Sequence, residues 1–178
     1  MSNTALLVID LQNDYFPNGN YPLWQAEETL QKVQTAIVKA QQQAMPIIFI
    51  QHVANVEKGI APFFNEGTEG VQLHSALKKV LASSHLVVKH FADSFEQTVL
   101  ASVLKQLRID SLLICGMMTQ NCVTHTAISK SAESYDVAVI AECCTTVDEM
   151  IHNIALNGMS PRVALLSIDQ AFSVNSAE

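Results

Sequence analysis

Six short runs of apolar residues recur along this chain, and that recurrence restricts its fold more than any other feature. Ala5 to Ile9, Pro46 to Gln51, His85 to Lys89, Ser111 to Cys115, Asp136 to Ala141 and Arg162 to Ser167 are each of strand length, and the apolar centres do not alternate with polar residues. An unbroken apolar strand has both faces buried, which is the habit of parallel sheets covered by helices on two sides. The intervening segments carry the helical period. Leu30, Val33, Ile37 and Ala40 share one face within 27–43, and Val99, Val103 and Leu107 share one within 95–107, where Ser94 reads as the N-cap. Further helices are expected over 73–81, 121–134 and 146–157, the last closed near Gly158. Strand and helix alternating in this way predict an α/β fold, a three-layer α/β/α arrangement of Rossmann-like type with right-handed crossovers. The stretch 53–70 has three glycines, a proline and no steady period, and reads as a long functional loop carrying Phe63 and Phe64.

With 178 residues, 49% of them apolar, the chain is expected to form a single domain over 1–178 around one core. A net charge of -7, with only 10 Lys and Arg scattered along the sequence, argues against nucleic acid and anionic membrane as partners. Asp10 cuts the first apolar run short of a secretory or spanning segment, and the cytoplasm is the expected compartment. Cys115, Cys122, Cys143 and Cys144 show no paired spacing for zinc or for a disulfide framework. Cys115 and Cys143 read as small packing residues within or against strands. Cys144 reads as a packing residue beginning a turn.

Cys122 differs. The stretch Leu112-Leu113-Ile114-Cys115-Gly116-Met117-Met118-Thr119-Gln120-Asn121-Cys122-Val123 reads as a strand, a tight turn and a helix start. A thiol at a helix N-terminus faces unpaired N–H groups that favour thiolate, so Cys122 is the candidate nucleophile. Open α/β sheets bind ligands beyond the carboxyl ends of their strands. Asp10, Lys89 and Cys122 each follow the carboxyl end of a different strand. Taken singly, Asp10 reads equally well as a cap, Lys89 as a surface charge and Cys122 as a small buried hydrophobe. Three such residues converging on one sheet edge favour a site.

Asp10-Leu11-Gln12-Asn13-Asp14, Lys89 followed by Asp93-Ser94-Phe95, and Gly116-Met117-Met118-Thr119 leading to Cys122-Val123 together resemble the isochorismatase-like cysteine hydrolase superfamily. The motifs come in the family's order over nearly the whole chain. The resemblance implies a six-stranded sheet of order 3-2-1-4-5-6 and a catalytic triad of Asp10, Lys89 and Cys122. It also implies a cis peptide between Met117 and Met118 and an oxyanion hole from the N–H groups of Met118 and Cys122. A homo-oligomer, dimer or tetramer, is expected on the same ground. That sheet order leaves Lys89 far from the other two, so its ammonium must be brought inward.

The activity so implied is hydrolysis of a small amide or related C–N bond through a thioester. One alternative is vinyl-ether hydrolysis releasing pyruvate, which needs acid catalysis by Asp10 but no thiol nucleophile. Another is a non-enzymatic thiol redox or interaction protein. Some relatives hold a divalent metal through an Asp-x-His pair after the second strand. Here the chain has Gln51-His52 and no nearby aspartate, and with His74 the only candidate companion, no metal and no cofactor are expected. His85, His90 and His125 read as structural or solvated. Tyr15, Phe63 and Phe64 sandwich a small-molecule substrate, or else pack as core or against another subunit. Gln120 and Asn121 stand where many relatives have His and Met, bordering the pocket, and Ser134 where they have Gly; Gln120 is counted with the substrate-binding residues.

Overall fold

The computed structural model describes residues 3–55, 57 and 59–173; Val56 and Lys58 of the expected loop lie outside them. Six strands, β1 (Thr4–Ile9), β2 (Ile47–His52), β3 (His85–Lys89), β4 (Ser111–Met117), β5 (Asp136–Thr145) and β6 (Ala164–Leu166), pair throughout in parallel. Their order is β3-β2-β1-β4-β5-β6, so the direction of winding reverses between β1 and β4. This is the order implied by the resemblance.

The apolar runs are continuous because the strand residues are shared between two cores. Leu6 and Val8 of β1 point to the side where α1 (Ala26–Gln42) lays down Leu30, Val33 and Ile37. Ala5, Leu7 and Ile9 point to the other side, onto Leu100 and Leu104 of α3 (Leu100–Gln106) and Met159 of α5 (Glu149–Met159). Every β1 residue from Ala5 onward is fully buried, as a strand covered on both faces requires. Shorter helices, α2 (Lys78–Leu81), α4 (Thr124–Ala127) and α6 (Ile168–Ala171), complete the layers. No helix among the described residues is long and apolar enough to cross a membrane.

Several expected boundaries move, each for a local reason. Ser94 does not cap a helix: its backbone N–H donates to Thr126 Oγ1 at 3.0 Å, Gln97 takes φ +54, and α3 begins only at Leu100. The helix expected over 121–134 is a single π turn (Thr119–Val123) followed by the four residues of α4. Beyond Ile128 the chain turns away, with Ser129 Oγ donating to Asp93 at 2.6 Å. The helix expected over 73–81 is a 3-10 turn (Ser75–Leu77) running into α2. Strands β4 and β5 run longer than their apolar runs. β4 carries through Gly116 and Met117, and β5 reaches Thr145, so Cys144 lies in a strand and begins no turn. α5 accordingly starts at Glu149, where Asp148 accepts the Ile151 N–H at 2.8 Å.

Gly116 is the one glycine the sheet cannot replace. It pairs with Ile9 at φ +125, and a Cβ there would stand 2.1 Å from the Ile9 carbonyl oxygen. Gly116→Ala is expected to cost about 3 to 4 kcal/mol, through left-handed strain and a backbone clash in the central strand pair. A urea-unfolding midpoint unchanged from wild type would contradict this account.

Candidate active site

Asp10 is the first residue past β1. Its N–H still donates to the Ile50 carbonyl at 3.0 Å, but its φ is +53, a left-handed turn that L residues with a Cβ enter only when held there. The carboxylate is fully buried. Lys89 ends β3, two strands away, and its side chain reaches inward past the end of β2, so the ammonium is buried as well. Nζ donates to Asp10 Oδ2 at 2.9 Å and to Cys122 Sγ at 3.0 Å. It also lies 3.1 Å from the Phe91 carbonyl and 3.5 Å from that of Ala92, which the loop after β3 turns back toward it. The three residues that end or follow separate strands thus meet at one ammonium. Asp10 Oδ1, also buried, has no hydrogen-bond partner among the described residues.

Cys122 occupies the π turn after the Met117–Met118 peptide, which is cis. The thiol is 1% exposed. Its pKa lies above that of a free thiol: burial raises it most, the Asp10 carboxylate raises it further, and the pull of Lys89 is outweighed. The expectation of a helix N-terminus favouring thiolate is corrected here. The turn is not the start of a long helix, and a carboxylate next to a buried sulfur opposes a second negative charge. Lys89 titrates above its ordinary value; burial alone would lower it, but Asp10 and Cys122 more than offset that.

His52, which ends β2, belongs to the same cluster. Its Nδ1 lies 3.1 Å from Lys89 Nζ, 3.9 Å from Cys122 Sγ and 3.9 Å from Asp10 Oδ2. Gln12 clasps its backbone from both sides, accepting the His52 N–H at 2.8 Å and donating to its carbonyl at 2.7 Å. Burial first, and then Lys89, lower the His52 pKa to about 4. An unfolded chain takes up this proton near pH 6.5, whereas the folded one does not until about pH 4, so stability present above pH 6.5 is lost as pH falls toward 4. The loss expected from this group is about 3 kcal/mol at most. It is measured as the difference between wild-type and His52→Gln unfolding free energies across that window; parallel curves would contradict it.

Asp10, His52 and Cys122 bring potential ligand atoms within 4.8 Å of one another. The cation among them is the Lys89 ammonium, 2.9 to 3.1 Å from each, and the set does not fit a divalent metal. Gln51 donates to the Val71 carbonyl at 2.8 Å, and His74 spends Nδ1 on the Ala76 N–H while its ring lies tilted against Phe16. Among the described residues, the one cluster of potential metal ligands does not include His74.

A cavity of about 260 Å³ opens beside the cluster, lined by Tyr15, His52, Phe63, Phe64, His90 and Asn121 among others. Tyr15 packs on Phe64 with ring centroids 4.5 Å apart and on Phe63 at 5.3 Å, so the aromatic residues singled out from the sequence form one wall. Tyr15 and Phe64 are each 1% exposed and belong to the core as well as to the cavity. Gln120 does not line this cavity; its Nε2 is directed to Met118 Sδ at 3.7 Å. Asp14 fastens the wall. Buried under Gly70, its carboxylate accepts the Phe64 N–H at 2.7 Å and the Asn20 N–H at 3.1 Å. The sequence offers His52 only as a possible metal ligand and Asp14 only as the end of the Asp10–Asp14 motif, and neither as a residue that builds the site. The signal for His52 was its place at the end of an apolar strand, shared with Asp10 and Lys89.

Fold and cluster together define a Rossmann-like α/β domain with a buried thiol centre at its switch point. The chain belongs to the isochorismatase family: the Isochorismatase domain matches residues 4–169. It is similar to the isochorismatase family protein YddQ of Bacillus subtilis (strain 168), 35% identical over 150 residues covering 84% of this chain and 82% of that one. It is also similar to a nicotinamidase of Acinetobacter baylyi, at 28% identity with 83% of each chain covered. Among solved structures, an isochorismatase-like hydrolase from Alkaliphilus metalliredigens has the same fold, with a TM-score of 0.86 at 23% identity, covering 96% of this chain and 98% of that chain.

Proposed function

We propose that this isochorismatase-family hydrolase cleaves a small amide or related C–N bond with Cys122 as nucleophile. The observation that carries the reading is the single ammonium that bridges Asp10 and Cys122 at 2.9 and 3.0 Å in a fully buried cluster. Vinyl-ether hydrolysis has no use for such a thiol. The likeness to a nicotinamidase supports the same reaction class.

Burial and Asp10 raise the pKa of the Cys122 sulfur, so proton transfer and attack go together. Asp10 Oδ1, the carboxylate oxygen not bonded to Lys89, takes the Sγ proton as sulfur adds to the carbonyl carbon. Lys89 meanwhile holds the carboxylate in place and offsets charge growing on sulfur. The oxyanion rests on the N–H groups of Met118 and Cys122. Asp10 returns the proton to the nitrogen, the C–N bond breaks, and ammonia or an amine leaves a thioester on Cys122. Asp10 then takes a proton from water, which attacks the thioester, releases the acid product and restores the thiol. Tyr15, Phe63 and Phe64 provide a wall for a planar or apolar substrate.

Screening small amides, N-carbamoyl compounds and isochorismate tests the reading, followed by rapid-quench mass spectrometry on the best substrate. The expected result is an acyl adduct on Cys122. An adduct on Cys115 or Cys144, or turnover of isochorismate alone, would overturn it.

A further inference from the structure

His52 takes no part in the steps above, yet its ring stands between the buried ammonium and the cavity. Lys89 Nζ carries protons and no lone pair, so the nitrogen facing it at 3.1 Å must present a lone pair. An N–H there would set proton against proton. The neutral ring then has its proton on the other nitrogen, Nε2, on the side away from Lys89, and His52 lines the cavity. The two Gln12 hydrogen bonds hold the backbone that carries the ring, and Phe64 lies beside the ring with centroids 6.0 Å apart.

We propose that Lys89 locks His52 as its Nε2–H tautomer, and that this N–H is a fixed hydrogen-bond donor to the substrate. The substrates it favours are neutral amides carrying a second acceptor, a carbonyl oxygen or an aromatic ring nitrogen, beside the scissile carbonyl. This rests on the proposed amide chemistry only for its effect on turnover; the tautomer is a property of the resting protein. The Nδ1 side faces Lys89, Asp10 and Cys122, and His90 and Tyr15 line the cavity on the other. Asp10 Oδ2 and Cys122 Sγ could accept from Nδ1, but each lies at 3.9 Å, whereas the ammonium, which can only donate, lies at 3.1 Å. A depressed pKa agrees with a neutral ring at pH 7.

The first measurement is the long-range ¹⁵N–¹H spectrum of uniformly ¹⁵N-labelled protein at pH 7, with His52 assigned by its loss in His52→Gln. An Nε2–H tautomer is expected, and an Nδ1–H tautomer or an imidazolium overturns the proposal. The second uses substitutions that separate the two ring nitrogens. His52→Asn keeps an acceptor near the Nδ1 position for Lys89 but withdraws the donor; His52→Gln keeps a donor near the Nε2 position. Pyridine carboxamide against benzamide tests the ring nitrogen, and an N-carbamoyl compound against a simple aliphatic amide tests the carbonyl. His52→Asn is expected to raise KM about tenfold for the acceptor-bearing member of a pair and little for the other, with His52→Gln in between. Equal losses across each pair would mean a structural role and sink the idea. Absence of turnover on every amide would count against the proposed function. The donor is then read without chemistry, by titrating the same amides into Cys122→Ala protein. The Nε2–H resonance of His52 should move with acceptor-bearing amides, and an unmoved resonance at saturation overturns the proposal.

Discussion

Cys122→Ala should abolish turnover while leaving the protein folded. The sulfur is 1% exposed and its loss removes one atom from a packed turn, so the expected cost in stability is about 1 kcal/mol. Turnover should fall by a factor on the order of 10⁴ or more, as happens when a nucleophile is removed from a constellation that acts as a unit. Asp10→Asn removes the proton acceptor from the same unit, and combining the two should cost little beyond the first. Substrate affinity should survive, because the aromatic wall and His52 are untouched. A Cys122→Ala enzyme that keeps full turnover would exclude the covalent mechanism.

Lys89→Met should be the most destabilising substitution in the site. The methionine fills much of the stem's volume but leaves the Asp10 carboxylate buried, with one oxygen already unpartnered and the other newly so. Breaking a buried pair from one side typically costs about 3 to 5 kcal/mol. The double variant Asp10→Asn/Lys89→Met should recover most of that stability, since no uncompensated charge remains, but none of the activity. The comparison is a double-mutant cycle in urea. If the single variant lost under about 1 kcal/mol, or the double lost as much as the single, the ammonium would not be the charge partner argued for here.

The sheet was legible because each buried strand announces itself as an unbroken apolar run, and the site because Asp10, Lys89 and Cys122 interrupt that pattern where strands end. Their convergence needed the order of the strands, which came from resemblance and not from periodicity. Three things lay beyond sequence reasoning. The helix after Cys122 stops early because Ser129 bonds to Asp93 and Thr126 to Ser94, pairings more than 30 residues apart that local propensity does not register. The thiol's pKa rises because burial and Asp10 act on it together, and both are tertiary facts. The position of His52 depends on Gln12 gripping its backbone from 40 residues away.

One consequence concerns β3. It is an edge strand, paired only with β2, and Leu86 and Val88 on it are 44% and 45% exposed. A strand held by the rest of the sheet through a single neighbour is therefore the one that delivers the ammonium. Opening of this margin alone, with five strands still paired, takes the counter-charge away from both carboxylate and sulfur. Chemical competence is thus lost before the fold is, and an edge-selective rise in amide hydrogen exchange at Val87 and Lys89 should accompany inactivation at denaturant concentrations where β1 and β4 remain protected. Simultaneous exposure of all six strands would argue against such a staged loss.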